Sequence, residues 1–134
     1  MNKIAEALKS KKIRPTMTRM AVAEILFESF DHPSAEDLLL KIQKKFSYIS
    51  RATVYNTLEL LAKKGLAKKR AIKSGRFIYD PVVSPHHHFV DKISGKIYDI
   101  PWDKAKLPEK INIPGFETED YYLVIIGKKL KEEK

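Results

Sequence analysis

The segment SRATVYNTLELLAKKG, residues 50–65, decides the fold of this chain of 134 residues. It opens with Ser50, a preferred N-cap residue, and it closes with Gly65, which suits the C-terminal end of a helix. Three apolar residues between them recur at the spacing of one helical face: Val54, Leu58 and Leu61. The segment therefore predicts a helix that buries this stripe and exposes the polar residues of its first turn.

Similar signals predict three earlier helices. The first covers 3–10, and the second begins at Thr16 or Thr18 and continues to about residue 28. The third begins at Ser34, where Ser-Ala-Glu-Asp is a variant of the capping box. It continues through four apolar residues at helical spacing: Ala35, Leu38, Leu39 and Ile42.

After Gly65 the sequence pattern becomes that of strands. Residues 66–71 and 76–80 are predicted strands joined by Lys73-Ser74-Gly75, with a glycine where the turn needs a positive φ. Helices followed by a small hairpin are the layout of a winged helix. Residues 1–80 are therefore predicted to form a winged helix-turn-helix domain that binds DNA.

The rest of the chain is predicted to form a second, smaller α/β domain over 86–134, after a proline-bracketed linker at 81–85. Its predicted strands are 87–91 and 96–100, which form a hairpin around Ser94-Gly95, and 121–126. Pro108 interrupts any helix over 103–111. The predicted fold class is α+β.

The net charge of +9 is unevenly distributed. Residues 1–80 contain 17 Lys and Arg against 8 Asp and Glu, whereas residues 81–134 contain nine of each kind. A lysine-rich solubilising surface is one explanation. A charge confined to one segment favours an electrostatic surface for nucleic acid.

Composition also excludes several classes of protein. The chain has no cysteine, which excludes disulfides, thiolate zinc sites and thiol redox chemistry. It has no apolar run of membrane-spanning length and no signal-peptide core, so we expect a cytoplasmic protein without a membrane partner. It lacks a glycine-rich phosphate loop, a nucleophile elbow and a cysteine nucleophile, so we do not expect an enzyme.

The first turns of the helix over 50–64 carry side chains that suit DNA. Asn56 can make a bidentate contact to adenine, and Tyr55 can pack on a thymine methyl group. The hydroxyls of Ser50 and Thr53 lie near a helix N-terminus, which favours a phosphate oxygen. An ordinary solvated helix face is the alternative interpretation.

The histidines form a second pattern. On an extended strand His86 and His88 project from one face and His87 from the other. Asp99 falls on the partnering strand of the same predicted hairpin. Asp80 ends the wing, and His32 lies in a loop between two predicted helices. The alternatives are an incidental run of histidines and a purely structural role for His32.

The stretch SRATVYNTL, residues 50–58, resembles the recognition helix of the ferric uptake regulator family. The motifs RPTMTR at 14–19 and DHPSAED at 31–37 resemble the same family, and the likeness continues in register from about residue 8 to residue 127. It implies a homodimer that binds double-stranded operator DNA, with Arg14 in the minor groove. The DNA-contacting residues that it implies are Arg14, Thr16, Arg19, Ser50, Arg51, Thr53, Tyr55 and Asn56.

The same resemblance implies a regulatory metal site. Its ligands are three histidines and two aspartates: His32, Asp80, His86, His88 and Asp99. This nitrogen and oxygen donor set favours Fe²⁺ or Mn²⁺. Because two of the ligands belong to the first predicted domain and three to the second, one ion is expected to fix the angle between them. The two recognition helices of a dimer would then match the half-sites of a near-palindrome.

Two positions favour the peroxide-sensing branch of this family. Asn56 and Asp99 are typical of peroxide sensors, whereas iron-uptake members more often carry Arg and Glu there. In such sensors bound Fe²⁺ reacts with H₂O₂, a ligand histidine is oxidised, and metal and DNA are released. The oxidation-sensitive residues implied here are His32 and His86. The alternatives are an iron-responsive repressor without peroxide sensing and a metal-independent winged-helix regulator.

The chain departs from the family where most members hold a structural zinc with two Cys-x-x-Cys pairs. Asp91 and Ser94 occupy the first pair and the second is missing, so a structural zinc of the four-cysteine type is not expected. Tyr121 stands where many relatives have a histidine, which weakens the case for a second regulatory site. The dimer is expected to depend on strand pairing and apolar burial around Tyr121, Leu123 and Ile125.

Overall fold

The computed structural model describes residues 2–73 and 76–131. The chain divides into two compact units, one ending at Val83 and the other beginning at Ser84. Within the described residues no helix is long and apolar enough to cross a membrane.

The first unit consists of four helices followed by an antiparallel hairpin. The elements are α1 (Lys3–Ser10), α2 (Met17–Phe27), α3 (Ala35–Lys45), α4 (Arg51–Lys63), β1 (Lys68–Lys73) and β2 (Arg76–Asp80). Lys68 pairs with Asp80 at the open end of the hairpin. This is the winged-helix arrangement that the sequence predicts. The predicted turn residues Ser74 and Gly75 lie outside the described residues.

Side-chain caps define where three of these helices begin. The hydroxyl of Thr16 accepts the amide hydrogen of Arg19 at 3.1 Å, so Thr16 rather than Thr18 is the N-cap of α2. Ser34 and Asp37 form a reciprocal capping box at α3. Ser50 accepts the amide hydrogen of Thr53 at α4. Each cap satisfies an amide that the helix itself cannot pair.

The prediction for the start of β1 was wrong by two residues. Gly65, at φ 84°, turns the chain after α4, and the amide of Leu66 donates to the carbonyl of Leu61 at 2.9 Å. Leu66 therefore completes the hydrogen bonds of the helix end and is not available for strand pairing. The strand begins at Lys68.

One hydrophobic core holds the first unit together. It is formed by α1 to α4, together with Ala67 and Tyr79 of the wing. The stripe predicted on α4 is fully buried: Val54, Leu58 and Leu61. Because this stripe packs inward, the polar residues at the start of α4 remain at the surface.

The second unit contains a three-stranded sheet and a short 3-10 helix. The elements are β3 (His86–Asp91), β4 (Ile97–Pro101), the 3-10 helix (Trp102–Ala105) and β5 (Val124–Gly127). The strand order is β4-β3-β5, with β4 antiparallel and β5 parallel to the central strand β3. The predicted hairpin is therefore present. β3 begins one residue before its predicted start and ends where predicted, and both ends of β4 lie one residue later than predicted.

The prediction that the last strand begins at Tyr121 was wrong. The amide of Leu123 donates to Nδ1 of the His87 side chain at 3.0 Å rather than to a backbone carbonyl of β3. Regular pairing with β3 starts at Val124, which lies opposite His88. A side chain thus takes the hydrogen bond that would have extended the strand.

Two adjacent leucines of α3 test the core. Leu39 is 1% exposed and Leu40 is 64% exposed. Leu39→Ala is expected to lower the free energy of unfolding by about 2–5 kcal/mol, because it removes buried methyl groups and leaves a cavity. Leu40→Ala is the matched control and is expected to change it by less than about 0.5 kcal/mol. Urea denaturation followed by circular dichroism measures both, and equal losses would contradict this assignment of the core.

Candidate nucleic-acid interface and metal centre

Five of the eight predicted DNA-contacting residues line one groove of the first unit. The groove has a volume of about 390 Å³ and lies between the start of α2 and the first turns of α4. The five are Arg14, Thr16, Arg19, Thr53 and Asn56. The groove thus combines two guanidinium groups with hydroxyls and an amide, which are donors that suit phosphates and base edges.

Hydrogen bonds give this groove a defined shape. Nη1 of Arg19 donates to the backbone carbonyl of Arg14 at 3.1 Å, which ties the start of α2 to the segment before it. The Ser50 hydroxyl donates to the Thr53 hydroxyl oxygen at 2.9 Å. Asn56 is exposed on the same helix. The N-terminal turn of α4 therefore presents polar groups whose positions are already restricted.

Arg51 and Tyr55 do not line this groove, because both contact Glu36 at the start of α3. Nη1 of Arg51 donates to Oε2 of Glu36 at 2.9 Å, and the Tyr55 hydroxyl donates to the same oxygen at 2.8 Å. We call these three residues the Glu36 cluster. The hydrogen bonds from Arg51 and Tyr55 lower the pKa of Glu36. The hydrogen bond to Glu36 raises the pKa of the Tyr55 hydroxyl, because the carboxylate holds its proton.

A second carboxylate joins α4 to the wing. Glu59 accepts hydrogen bonds from Nζ of Lys69 at 2.7 Å and from the hydroxyl of Tyr79. Burial, followed by the hydrogen bond to Glu59, raises the pKa of Tyr79 far above its usual range. Neither Glu36 nor Glu59 was predicted to have a role. Each lies ten or more residues from its partners, so no local spacing marks it.

In the second unit three of the predicted metal ligands converge. Asp99 is the direct partner of His88 in the pairing of β3 with β4. The Nε2 atoms of His86 and His88 are 3.2 Å apart, and they lie 3.5 and 3.6 Å from Oδ1 of Asp99. Ligands of one ion with bonds of about 2.1 Å lie about 3 Å apart, so the three donor atoms have a suitable separation.

The tautomer of His86 also fits a metal ligand. Its Nδ1 lies 2.8 Å from the carbonyl oxygen of Ser84, which can only accept a hydrogen bond. Nδ1 therefore carries a proton and donates it to this carbonyl, and Nε2 is the ring nitrogen near His88 and Asp99. A second ring nitrogen anchored to a backbone carbonyl is a common arrangement for metal-binding histidines.

The other two predicted ligands are neighbours in the first unit. His32 has a φ of 59° in the loop before α3, and Asp80 ends β2 and is 2% exposed. The Tyr79 amide donates to the Pro33 carbonyl at 2.9 Å, which holds the end of the wing beside this loop. A nitrogen of His32 and an oxygen of Asp80 lie within 4.8 Å of each other. One carboxylate and one imidazole again form a donor pair suited to a divalent ion.

Residues 10–126 match the model of the ferric uptake regulator family. The chain belongs to this family. Its members are transcriptional regulators that respond to metals and bind DNA as dimers. The chain is 33% identical to the peroxide operon regulator of Bacillus subtilis, over 91% of this chain and 86% of that protein. It is also 33% identical to the ferric uptake regulation protein of Brucella abortus, over 94% and 92%.

A solved structure supports the same assignment. The peroxide stress regulator of Campylobacter jejuni has a TM-score of 0.67 and 27% identity, and the match covers 98% of each chain. The α+β fold, with an N-terminal DNA-binding domain and a C-terminal dimerisation domain, is thereby confirmed for this family member.

One histidine of this family member, His87, is buried and has a structural role that was not predicted from the sequence. His87 projects opposite to its two neighbours, is fully buried, and stacks on Trp102 with ring centroids 4.1 Å apart. Burial lowers the pKa of His87, and the ring is therefore neutral at pH 7 with Nδ1 as an acceptor for Leu123. Alternation along the strand predicted its direction, but its partner on the distant β5 segment had no sequence signal.

Hydrogen bonds shape the turn where most family members have the first zinc-binding pair. Oδ1 of Asp91 accepts the amide hydrogen of Ile93 at 2.9 Å, and Oδ2 accepts the Ser94 hydroxyl at the same distance. Gly95 follows with a φ of 80°, which favours glycine. The β3–β4 turn of this cysteine-free chain is therefore closed by a carboxylate.

This turn predicts a pH-dependent contribution to stability. The Ile93 amide and then the Ser94 hydroxyl lower the pKa of Asp91. The stabilisation is therefore present above the unfolded-state pKa of about 3.9 and is lost as the pH falls through the lower folded-state pKa. At neutral pH the urea midpoint of the wild type is expected to be higher than that of Asp91→Asn. The difference between the two midpoints is expected to become smaller in acid. Asp103→Asn is the control. If the midpoints of the wild type and Asp91→Asn differ by the same amount at neutral and acid pH, the role of Asp91 is contradicted.

Proposed function

We propose that this protein is a homodimeric, metal-dependent transcriptional repressor that binds palindromic operator DNA. The observation that carries the proposal is the groove that Arg14 and Arg19 line together with Thr53 and Asn56 of the first turns of α4. A helix N-terminus with exposed polar side chains between basic residues suits the major groove and its phosphates. We further propose 1–80 as the DNA-binding domain, 81–85 as the linker and 86–134 as the sensing and dimerisation domain.

The DNA contacts are proposed to have three roles. Asn56 and Tyr55 contact base edges, Arg14 enters the minor groove, and the hydroxyl-bearing and remaining basic residues contact phosphates. The last group consists of Thr16, Arg19, Ser50, Arg51 and Thr53. The excess of positive charge in residues 1–80 supports this assignment, because phosphate neutralisation supplies most of the non-specific affinity.

The regulatory metal is proposed to be Fe²⁺ or Mn²⁺ held by His32, Asp80, His86, His88 and Asp99. Support comes from the convergence of three donors in the second unit and of two in the first. The set contains only nitrogen and oxygen donors, which these ions accept. When bound, the ion supplies a fixed link among ligands from both proposed domains. A link of this kind favours one orientation of the recognition helices over others.

Peroxide is proposed as the signal. The residues Asn56 and Asp99 support it, together with the 33% identity to the peroxide operon regulator of Bacillus subtilis. Iron responsiveness without peroxide sensing is the second candidate, supported by equal identity to the Brucella ferric uptake regulation protein. In the peroxide proposal Fe²⁺ supplies the reactivity with H₂O₂, and His32 and His86 receive the oxygen.

The dimer is proposed to form through the second unit without zinc. Several apolar side chains of this unit are exposed in the single chain: Ile113, Phe116, Ile125, Ile126 and Leu130. Burying an apolar surface of this kind is favourable. Pairing along the strand β5 adds backbone hydrogen bonds, since β5 is an edge strand of the sheet.

Removal of one carboxylate tests the metal site. The probe is a duplex that the wild-type protein selects from a randomised pool in the presence of Mn²⁺. Mn²⁺ is expected to increase the affinity of the wild type for this duplex, and Asp99→Ala is expected to reduce that increase about tenfold or more. Asp103→Ala, four residues along the chain, is the matched control. An Asp99→Ala variant that responds to Mn²⁺ like the control would contradict the proposed ligand.

Peroxide treatment distinguishes the two candidate signals. The Fe²⁺ form is expected to lose the selected duplex after H₂O₂, whereas the Mn²⁺ form is expected to retain it. Mass spectrometry of the treated Fe²⁺ form is expected to find one added oxygen atom on His32 or His86. Retention by both forms without histidine oxidation would favour the iron-responsive repressor. Equal affinity of the metal-free and metal-loaded forms would instead indicate a metal-independent regulator.

A further inference from the structure

We infer that Glu36 is a positioning and specificity-determining residue of the DNA interface. Glu36 lies on α3 and is not one of the proposed DNA-contacting residues. It accepts hydrogen bonds from two residues of the recognition helix α4, Arg51 and Tyr55. The inference rests on the proposed DNA-binding function. It adds a residue that sets how strongly the protein discriminates its operator from other DNA.

Glu36 orients the ring of Tyr55. The Tyr55 hydroxyl donates to Oε2 of Glu36 at 2.8 Å and lies 3.3 Å from Nη1 of Arg51. The Arg51 guanidinium carbon lies 5.8 Å from the centre of the same ring. The hydroxyl is therefore engaged within the protein, and the ring is restrained before DNA arrives. A restrained aromatic ring contacts a thymine methyl at a lower entropic cost than a freely rotating one.

Glu36 also competes with DNA for Arg51. The guanidinium is held by both carboxylate oxygens, Nη1 at 2.9 Å from one and Nη2 at 3.4 Å from the other. The hydrogen bond between them raises the pKa of Arg51 and lowers the pKa of Glu36, so the charged pair is favoured. A phosphate group must displace the carboxylate, or share the guanidinium with it, to bind Arg51. The negative charge of Glu36 also repels the DNA backbone.

These two effects act differently on operator and non-operator DNA. Non-specific affinity depends almost entirely on phosphate neutralisation, so a carboxylate beside Arg51 lowers it. Operator affinity includes the base contact of Tyr55, which the same carboxylate favours by fixing the ring. The carboxylate weakens the phosphate contact of Arg51 on both kinds of DNA, whereas the restrained ring of Tyr55 favours the operator alone. Specificity is the difference between the two affinities, and Glu36 increases it through Tyr55.

A purely structural tether between α3 and α4 makes a different prediction. More than half of each side chain, Glu36 and Arg51, is exposed, and an exposed ion pair contributes little to stability. A tether would weaken both kinds of DNA binding by the same factor and would leave their salt dependence unchanged. The ratio of affinities and its salt dependence therefore separate the two roles.

The experiment compares variants on two duplexes. The first duplex is the one that the wild-type protein selects from a randomised pool, and the second has the same base composition in scrambled order. Glu36→Gln keeps an oxygen that can accept from Tyr55 but removes the charge. Tyr55→Phe removes the hydroxyl and keeps the Glu36–Arg51 pair. Glu24→Gln is the matched control, because the ion pair of Glu24 with Lys45 at 3.1 Å includes no residue of α4.

Each variant has its own expected result. Glu36→Gln is expected to bind the scrambled duplex more tightly than the control does, and to steepen the slope of log affinity against log salt by about one. Tyr55→Phe is expected to lose about fivefold in affinity for the selected duplex, with little change in that slope. Both variants are expected to lower the ratio of selected to scrambled affinity, because a neutral amide oxygen holds the Tyr55 hydroxyl less strongly than a carboxylate does and Phe has no hydroxyl to hold.

The outcomes also separate this inference from the proposed function. If the wild type selects no duplex, the proposed function itself is overturned. If it selects one and Glu36→Gln matches Glu24→Gln in ratio and in salt slope, the role of Glu36 is overturned. An equal loss on both duplexes by Tyr55→Phe would likewise overturn the positioning of the ring. Urea midpoints of the variants, measured in parallel, verify that each binding change belongs to a folded protein.

Discussion

The helix α4 has to bury one side completely while its first turn stays in water, and the first unit is arranged around that requirement. Val54, Leu58 and Leu61 have no exposed surface. They fix the rotation of the helix about its axis, because any other rotation would expose them. The Ser50 cap fixes where the helix begins. Arg51 and Asn56 are therefore presented at the surface by packing that involves neither of them, and Tyr55 lies at the border, packed partly against the core.

The second unit uses a comparable division along one strand. Alternation in β3 directs His86 and His88 to one face and His87 to the other. The first face meets Asp99 across the antiparallel pair, and the second face meets Trp102 and the amide of Leu123. A candidate metal-binding face and a packed structural face thus share three consecutive residues. The histidine run that contains two candidate metal ligands thus also contains a buried ring, His87, which stacks on Trp102.

Local signals predicted the fold well, and contacts between distant segments were harder to predict. Caps, helical spacing and strand alternation depend on neighbours in sequence, so they correctly marked Ser34 and Ser50 as helix starts and narrowed the start of α2 to Thr16 or Thr18. The parallel pairing of β5 with β3 joins segments more than 30 residues apart, and the late start of β5 depends on His87. Glu36 resembled an ordinary acidic residue in the first turn of a helix, because its partners lie 15 and 19 residues away.

In the proposed function metal binding and DNA binding are coupled. Such coupling is reciprocal, because each ligand changes the affinity for the other by the same factor. If Mn²⁺ raises the affinity for the selected duplex, then the duplex must raise the affinity for Mn²⁺ by the same factor. The most direct test is a titration of the dimer with Mn²⁺, followed by electron paramagnetic resonance of the free ion, with and without saturating duplex. Mn²⁺ is expected to bind more tightly in the presence of the selected duplex but not in the presence of the scrambled one. An unchanged Mn²⁺ affinity would contradict it.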